Sequence, residues 1–174
     1  PAMMERLRVE YAALTDVGRK RSHNEDSFRC AGDDNLFLVA DGMGGHNAGE
    51  VASAMALEAM RARLAELAAT PEAGPEIGPR VEGWVSGVNQ EIRREGEAKP
   101  QQRGMGTTLA LAFVTGDGQL VVANVGDSKV FRVRGVTVAQ LSTDHTALAE
   151  QRRILGADSA TPEDAVGNPF AHAL

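Results

Sequence analysis

The run from Leu36 to His46 constrains the fold most, because it joins an apolar segment, a carboxylate and a glycine cluster. Residues 36–40 are apolar without alternation, a pattern that favours a strand buried on both faces. Asp41 follows directly, and a carboxylate at the end of a buried strand favours a paired divalent cation. The glycines after it let backbone approach an ion or a phosphate closely. A solvated aspartate before an ordinary glycine turn is the alternative interpretation of so short a motif.

A predicted hairpin brings a second carboxylate toward Asp41. Residues 27–30 have the composition of a short strand, and residues 31–35 that of a turn before the strand at 36–40. Since two such strands are antiparallel neighbours, Asp26 at the start of one lies near Asp41 at the end of the other. Two carboxylates that converge from neighbouring strand ends form an oxygen-ligand site for Mg²⁺ or Mn²⁺.

Periodicity predicts the other elements. Alternation over residues 9–15 predicts a strand, and apolar residues at helical spacing predict an amphipathic helix over residues 50–67. A loop rich in proline and glycine over residues 70–79 precedes a second helix, whose apolar stripe runs from Val81 to Ile92 and which ends before Gly96 or Pro100. Trp84 on this stripe is interpreted as a packing residue.

The second half of the chain changes to a strand pattern. Short turns separate four strand candidates, at residues 107–114, 120–125, 129–133 and 136–141. Connections so short predict an antiparallel meander. Further helical stretches are predicted over residues 147–155 and from Thr161.

Composition limits the classes of function. The chain has 174 residues, 43% of them hydrophobic, which suits one domain with a core. A net charge of −6 gives no footprint for nucleic acid or an anionic membrane and leaves acids for cation binding. The single cysteine, Cys30, excludes an intramolecular disulfide and is predicted to be a small buried residue. With no signal peptide or spanning run recognised, we expect a cytoplasmic protein, with residues 1–8 as an N-terminal extension or tag remnant.

Five segments together resemble the bacterial type 2C, metal-dependent Ser/Thr protein phosphatases. They are residues 15–26 (TDVGRKRSHNED), 39–46 (VADGMGGH) with Gly49 and Glu50, 104–108 (GMGTT), 123–129 (ANVGDSK) and 141–145 (LSTDH). The resemblance covers residues 9–174 and implies an α+β fold. It implies a central antiparallel β-sandwich flanked by helix pairs, with the C-terminal strands of the domain missing from this chain.

The resemblance also implies a chemistry. Members of this family hydrolyse phosphoserine and phosphothreonine in proteins with a water that bridges two Mn²⁺ or Mg²⁺ ions, and bacterial members hold a third, weaker ion. By position, Asp41 corresponds to the residue that bridges both ions, and Gly42 to the one whose carbonyl binds one of them. Glu25 and Asp26 correspond to the acids that bind metal waters, and Asp127 to a ligand of the third ion.

The resemblance implies a phosphate ligand and partners as well. Arg21 corresponds to the arginine that grips the substrate phosphate with its planar donor fork. The implied partners are phosphoserine and phosphothreonine proteins, together with a Ser/Thr kinase that shares those substrates.

The sequence departs from the family pattern at two places. Eukaryotic members have a histidine directly after the Asp-Gly pair and use it as general acid. In this chain Met43 occupies that position, and bacterial members likewise lack the histidine. His46 is expected in a supporting role, His23 in a loop near the phosphate, and His145 and His172 in structural roles. The Ser-Asp-Gly and Asp-Asn motifs that supply two more metal-binding aspartates are absent, so we expect this chain alone to bind Mn²⁺ weakly and to turn over slowly.

Two other functions stay open at this point. A non-catalytic module with the same fold would bind phosphoprotein or a regulatory partner, although it would have little need for so many clustered acids. Nucleotide binding through the glycines at 42–45 or 104–106 is disfavoured, because neither stretch has the Lys-Ser/Thr of a phosphate loop or Rossmann spacing.

Overall fold

In the residues that the structure describes, the fold combines two antiparallel sheets, one of five strands and one of two, with a helix pair, in agreement with the predicted α+β class. The computed structural model describes residues 9–31, 35–44, 48–68, 76–115, 118–146, 149–150 and 154. The predicted helix from Thr161 and most of the one over 147–155 lie outside the described residues.

The sheet is built around the predicted hairpin. Strand β1 (Asp26–Ala31) pairs with β2 (Leu36–Met43), and β2 pairs on its other side with β4 (Leu109–Val114), which in turn pairs with β5 (Leu120–Val125). A two-residue strand, β3 (Gly106–Thr107), pairs with the end of β2. The sheet is antiparallel throughout, so the end of β2, which carries Asp41, lies beside the start of β1 and the start of β4.

Two helices cover one face of this sheet. Helix α1 (Ala48–Ala68) packs on β2, and α2 (Ile77–Ala98) packs on α1, joined to it by the Arg63–Glu91 ion pair. Both helices were predicted from their periodicity, but α2 begins within the segment 70–79 that was predicted to be a loop. Pro79 is compatible with this start, because a proline in the first helical turn costs no intrahelical hydrogen bond. Next comes a short 3₁₀ turn, Pro100–Gln102.

The hydrophobic core lies between the helix pair and the sheet. The apolar residues buried there from the sheet are Leu36, Leu38, Ala40, Leu109, Leu111 and Phe113, and those from the helices include Ala52, Ala56, Met60, Leu64, Val81, Val88 and Ile92. Trp84 packs against this cluster as predicted, with the Arg80 guanidinium 5.3 Å from its ring centre. Neither helix in the described part of the chain is long and apolar enough to cross a membrane.

Burial along β2 corrects one prediction. Leu38 is fully buried on the helix side, whereas Val39 is 49% exposed on the other side. Residues 36–40 are therefore buried on one face only, because the helices cover that face and no described element covers the opposite one. Cys30 lies on the uncovered side and is only partly buried, contrary to the prediction of a buried residue.

Two of the predicted strand arrangements are also wrong. The meander breaks after β5, because Gly126 turns the chain with a φ of 93°, and β6 (Phe131–Arg134) pairs only with β7 (Thr137–Gln140) in a separate two-stranded sheet. Residues 9–15 form no strand, since they have no ladder partner within the described ranges. Alternation gives a strand only where a neighbouring strand supplies hydrogen bonds, and here Tyr11 merely packs its ring 5.9 Å from that of Phe37.

Candidate active site

The β1–β2 hairpin places Asp26 and Asp41 directly opposite each other, as predicted. Their Cα atoms are partners in the antiparallel register, so the two carboxylates leave neighbouring strands at the same edge of the sheet. Buried and exposed residues alternate along this part of β2, and Asp41 is exposed while Gly42 after it is buried. The acid therefore faces solvent, and the glycine is packed under it.

Gly42 is held between Glu25 and the first turn of α1. Its amide donates to the Glu25 carbonyl at 3.1 Å. A Cβ at this position would lie 2.7 Å from that carbonyl oxygen and would overlap the Gly49 carbonyl, so only glycine fits. The buried Ser53 hydroxyl of α1 donates to the same Glu25 carbonyl at 2.7 Å, which ties the site to the helix.

Asp127 reaches the site through a tight turn after β5. Gly126 has a left-handed φ of 93°, and a Cβ there would lie 2.7 Å from the Thr108 methyl group. The turn is fixed by the His145 amide, which donates to the Gly126 carbonyl at 2.9 Å. Next to Asp127, the Lys129 ammonium lies 3.0 Å from an Asp144 carboxylate oxygen.

These elements surround one open cleft of about 310 Å³. Its lining consists of Arg21, Glu25, Asp41, Gly42, Met43, Gly44, Thr108 and Asp127. The structure thus brings together five of the six residues predicted for the site, and Asp26 lies beside them as the strand partner of Asp41. His23 lies in the exposed loop next to Arg21, with its Nδ1 2.8 Å from the Ser22 hydroxyl. His46 and His172 lie outside the described residues, and His145 is exposed.

The electrostatics of the cleft are dominated by clustered negative charge. Partial burial raises the pKa of Asp41 above its ordinary value, and the neighbouring Asp26 carboxylate raises it further. Asp127 contributes in the same direction, whereas the Arg21 guanidinium partly opposes the shift. Ionising Asp41 is therefore costly in the protein without a cation, and a positive ion between these carboxylates would remove the cost.

Arg21 is placed to bind an anion at the rim of the cleft. Its side chain is 63% exposed, and its guanidinium lies 3.5 Å from a Glu25 carboxylate oxygen. That separation is at the limit of a hydrogen bond, so the contact is weak and orients the side chain without consuming its donors. The planar fork stays available to a phosphate group that enters the cleft.

The oxygen atoms that line the cleft suit a hard divalent cation, but they provide only some of the ligands that such an ion needs. Carboxylate oxygens and a backbone carbonyl are the ligands that Mg²⁺ and Mn²⁺ prefer. Across the ranges that the structure describes, no three acidic, histidine or cysteine side chains are grouped closely enough to form a metal cage by themselves. The residues present therefore fit an ion whose remaining ligands come from water, substrate or other protein groups.

The sequence-based prediction missed the residues that hold the Asp41 backbone. The Thr107 hydroxyl donates to the Asp41 carbonyl at 3.0 Å, and Thr108 bonds to both backbone groups of Asp41. Both threonines belong to the GMGTT segment that supported the resemblance, so a signal was present without a role attached to it. Ser53 was missed as well, and Gly49 was part of a motif without a role assigned to it, because the contacts of both depend on how α1 docks on the hairpin.

Fold and site together define an α+β protein with an open cleft lined by acidic oxygen donors and one arginine. Residues 17–166 match the family model of protein phosphatase 2C, and the chain belongs to this family. The resemblance predicted from five motifs is confirmed by this match.

Named relatives agree with the assignment. The chain is 38% identical over 167 residues to the serine/threonine phosphatase Stp of Listeria monocytogenes, an alignment that covers 92% of this chain and 63% of that protein. The structure of the Mycobacterium tuberculosis serine/threonine phosphatase PstP/Ppp is similar with a TM-score of 0.75 at 33% identity, covering 94% of this chain and 65% of that one.

A further similar structure is the catalytic domain of PstP in complex with two manganese ions. Its TM-score is 0.72 at 34% identity, and the match covers 90% of this chain and 63% of that one. The chain thus spans less than two thirds of the length of each of these three relatives.

Proposed function

We propose that this chain forms the N-terminal and central part of a metal-dependent phosphatase acting on phosphoserine and phosphothreonine in proteins. The observation that carries the proposal is the convergence of Asp41, Asp127, Glu25 and Arg21 on one cleft. Three acids with one exposed arginine provide both a cation site and an anion site within a single volume. The phosphatase domain is taken to span residues 9–174, after an extension at 1–8.

Each site residue has a separate task in the proposal. Asp41 would supply the carboxylate that binds the cations, Gly42 would offer its backbone carbonyl as a further ligand, and Glu25 and Asp26 would accept hydrogen bonds from waters bound to the cations. Asp127 belongs to a third, weaker cation position. When bound, Mn²⁺ or Mg²⁺ would lower the pKa of the attacking water and offset charge on the phosphoryl oxygens.

The proposal extends to the setting of the reaction. The substrates are phosphorylated proteins, and a Ser/Thr kinase that acts on the same substrates is the expected partner. A cytoplasmic location is part of the proposal and is supported by the single cysteine, Cys30, whose thiol is free.

Phosphate release from a phosphothreonine peptide tests the function. We expect slow release by these 174 residues with Mn²⁺, stopped by EDTA, and much faster release by the full-length Listeria relative assayed in parallel. Robust Mn²⁺-dependent turnover by the 174 residues would refute the view that they hold only part of the metal site. Absence of both Mn²⁺ binding and Mn²⁺-dependent release by the 174 residues would contradict the proposed function.

A catalytically impaired or non-catalytic phosphatase-like module is the second candidate. It is favoured by one observation, namely that the described acids do not form a complete cage. Calorimetry with the same peptide separates the candidates. Peptide affinity that is independent of Mn²⁺ and without turnover would favour the module, whereas affinity that needs Mn²⁺ favours the enzyme.

Replacing Arg21 by lysine should weaken substrate binding more than catalysis. Lysine keeps the charge but loses the planar fork that contacts two phosphate oxygens, so we expect KM for the phosphopeptide to rise about tenfold. Arg19→Lys in the same exposed loop is the matched control and should leave KM unchanged. Steady-state kinetics with Mn²⁺ checks both variants, and an unchanged KM in Arg21→Lys would remove Arg21 from the site.

A further inference from the structure

The β-ladder that carries Asp41 is interrupted at Asp41 itself. Gly42 pairs with Thr107 and Val39 pairs with Ala110, so the continuous register places Asp41 opposite Thr108. The Thr108 amide donates to the Asp41 carbonyl at 2.9 Å, as in a regular antiparallel pair. The Asp41 amide, however, donates to the Thr108 hydroxyl at 2.9 Å rather than to its carbonyl. A side chain therefore supplies one rung of the ladder.

The same hydroxyl is also bonded to the Asp127 turn. Thr108 Oγ1 lies 2.7 Å from Ser128 Oγ, and Ser128 is the residue after Asp127. A hydroxyl has one proton and two lone pairs, so Thr108 Oγ1 holds the Asp41 amide and the Ser128 hydroxyl at the same time, whichever of the two hydroxyls donates to the other. Thr108 is only 3% exposed, and its methyl group packs against Gly126, so the hydroxyl has little freedom to turn away.

We propose that Thr108 is a positioning residue that ties the backbone of Asp41 to the turn carrying Asp127. This inference rests on the proposed function, since it assumes that Asp41 and Asp127 belong to the same cation site and assigns Thr108 the task of holding both in place. A shift of the Asp127 turn moves Ser128, then the Thr108 hydroxyl, then the Asp41 amide. Binding of a cation at Asp127 and binding at Asp41 should accordingly influence each other.

Two substitutions separate the hydroxyl from the shape of the side chain. Thr108→Val keeps the branched shape and removes the hydroxyl, whereas Thr108→Ser keeps the hydroxyl. Calorimetric titration of the full chain with Mn²⁺ should give a dissociation constant about tenfold higher for Thr108→Val, as is usual when a residue that orients a ligand is lost. Thr108→Ser should restore the dissociation constant to within about twofold of the original.

The opposite end of β4 provides a matched control. Thr115 is also buried, and its hydroxyl likewise takes part in hydrogen bonds, here with the backbone of Gln119. Thr115→Val should lower the melting temperature as Thr108→Val does and leave the Mn²⁺ dissociation constant unchanged. Equal loss of Mn²⁺ affinity in both valine variants would mean general destabilisation and would overturn the proposal.

Asp127 itself tests the route of the effect. If Thr108 acts through the Asp127 turn, then Thr108→Val should cost less additional Mn²⁺ affinity in an Asp127→Asn background than in the original chain. Full additivity of the two substitutions would contradict the proposed connection.

A metal-free measurement keeps this inference distinct from the proposed function. We expect Ser128→Ala to shift the NMR signal of the Asp41 amide and to speed its hydrogen exchange, with Thr108→Val having the larger effect and Thr108→Ser a small one. An Asp41 amide that does not respond to Ser128→Ala overturns the inference, whatever the Mn²⁺ titration gives. No Mn²⁺ uptake by the unsubstituted chain, with the amide responding as expected, would instead count against the proposed metal site alone.

Discussion

Replacing Asp41 by asparagine is expected to abolish Mn²⁺-dependent phosphate release and, at the same time, to stabilise the metal-free protein. Loss of a residue that only hydrogen-bonds to a metal ligand typically costs 10–100-fold, so losing the carboxylate proposed to bind the cations should cost more than about 100-fold. The stabilisation follows from the cleft, where partial burial and Asp26 raise the pKa of Asp41. Asparagine removes a charge that the fold accommodates poorly.

The pH dependence of this stabilisation has a definite sign. Because the folded-state pKa of Asp41 is raised, ionisation costs stability as the pH rises from the ordinary carboxyl value of 3.8 through the folded-state value. At neutral pH the Asp41→Asn protein should therefore melt higher, by roughly 2–4 °C for each kcal/mol gained in the free energy of unfolding. The difference should shrink toward zero as the pH falls below about 3, where Asp41 is protonated in both states.

Added Mn²⁺ should reverse the order of the two proteins. A cation that binds only the folded state stabilises it in proportion to the logarithm of its concentration over the dissociation constant, and only the original chain should gain. Glu82→Gln on the exposed side of α2 is the control, and it should change neither activity nor the response to Mn²⁺. Thermal melts with and without Mn²⁺ check the result, and equal Mn²⁺ stabilisation of both proteins would exclude Asp41 as a ligand.

Local patterns predicted the parts of the fold that local patterns determine. The hairpin and both helices depend on periodicity and turn residues close together in the chain, and the structure confirms them. Residues 9–15 alternate just as a strand does, yet pairing depends on a partner that the pattern cannot specify. The prediction that β2 is buried on both faces was wrong for the same reason, since an apolar run does not indicate whether one face of a strand is covered or both.

The sequence predicted which acidic residues form the site, but it did not predict the contacts that hold them in place. The hairpin register alone brought Asp26 to Asp41, as expected from the sequence. Thr108 bonds to Asp41 from 67 positions away, through a side chain that takes the place of a carbonyl. This side-chain hydrogen bond depends on the register of β2 against β4 and on the turn after β5. No single segment of the sequence determines either of them. The GMGTT motif therefore indicated the family from the sequence alone, whereas the role of its Thr108 required the structure.

Gly42→Ala should disrupt both stability and the site, because the added methyl group has no space. It would overlap the Gly49 carbonyl and lie 2.7 Å from the Glu25 carbonyl oxygen, and both neighbours are backbone atoms that cannot rotate away. Overpacking of this kind costs about 1–3 kcal/mol, and here relief requires the first turn of α1 to move away from β2. That movement would also displace Glu25, so activity should fall together with stability.

Gly83→Ala supplies the matched control for the same chemical change. A Cβ at Gly83 meets nothing within 4 Å, and the residue lies inside α2, so alanine should stabilise the protein by roughly 0.8–1.0 kcal/mol. Urea unfolding of the two variants should thus give shifts of opposite sign, with Mn²⁺-dependent activity kept in Gly83→Ala alone. A Gly42→Ala protein as stable and active as the original would mean that β2 and α1 are not held against each other at this point. The close approach of Gly42 to Gly49 would then play no part in positioning Asp41.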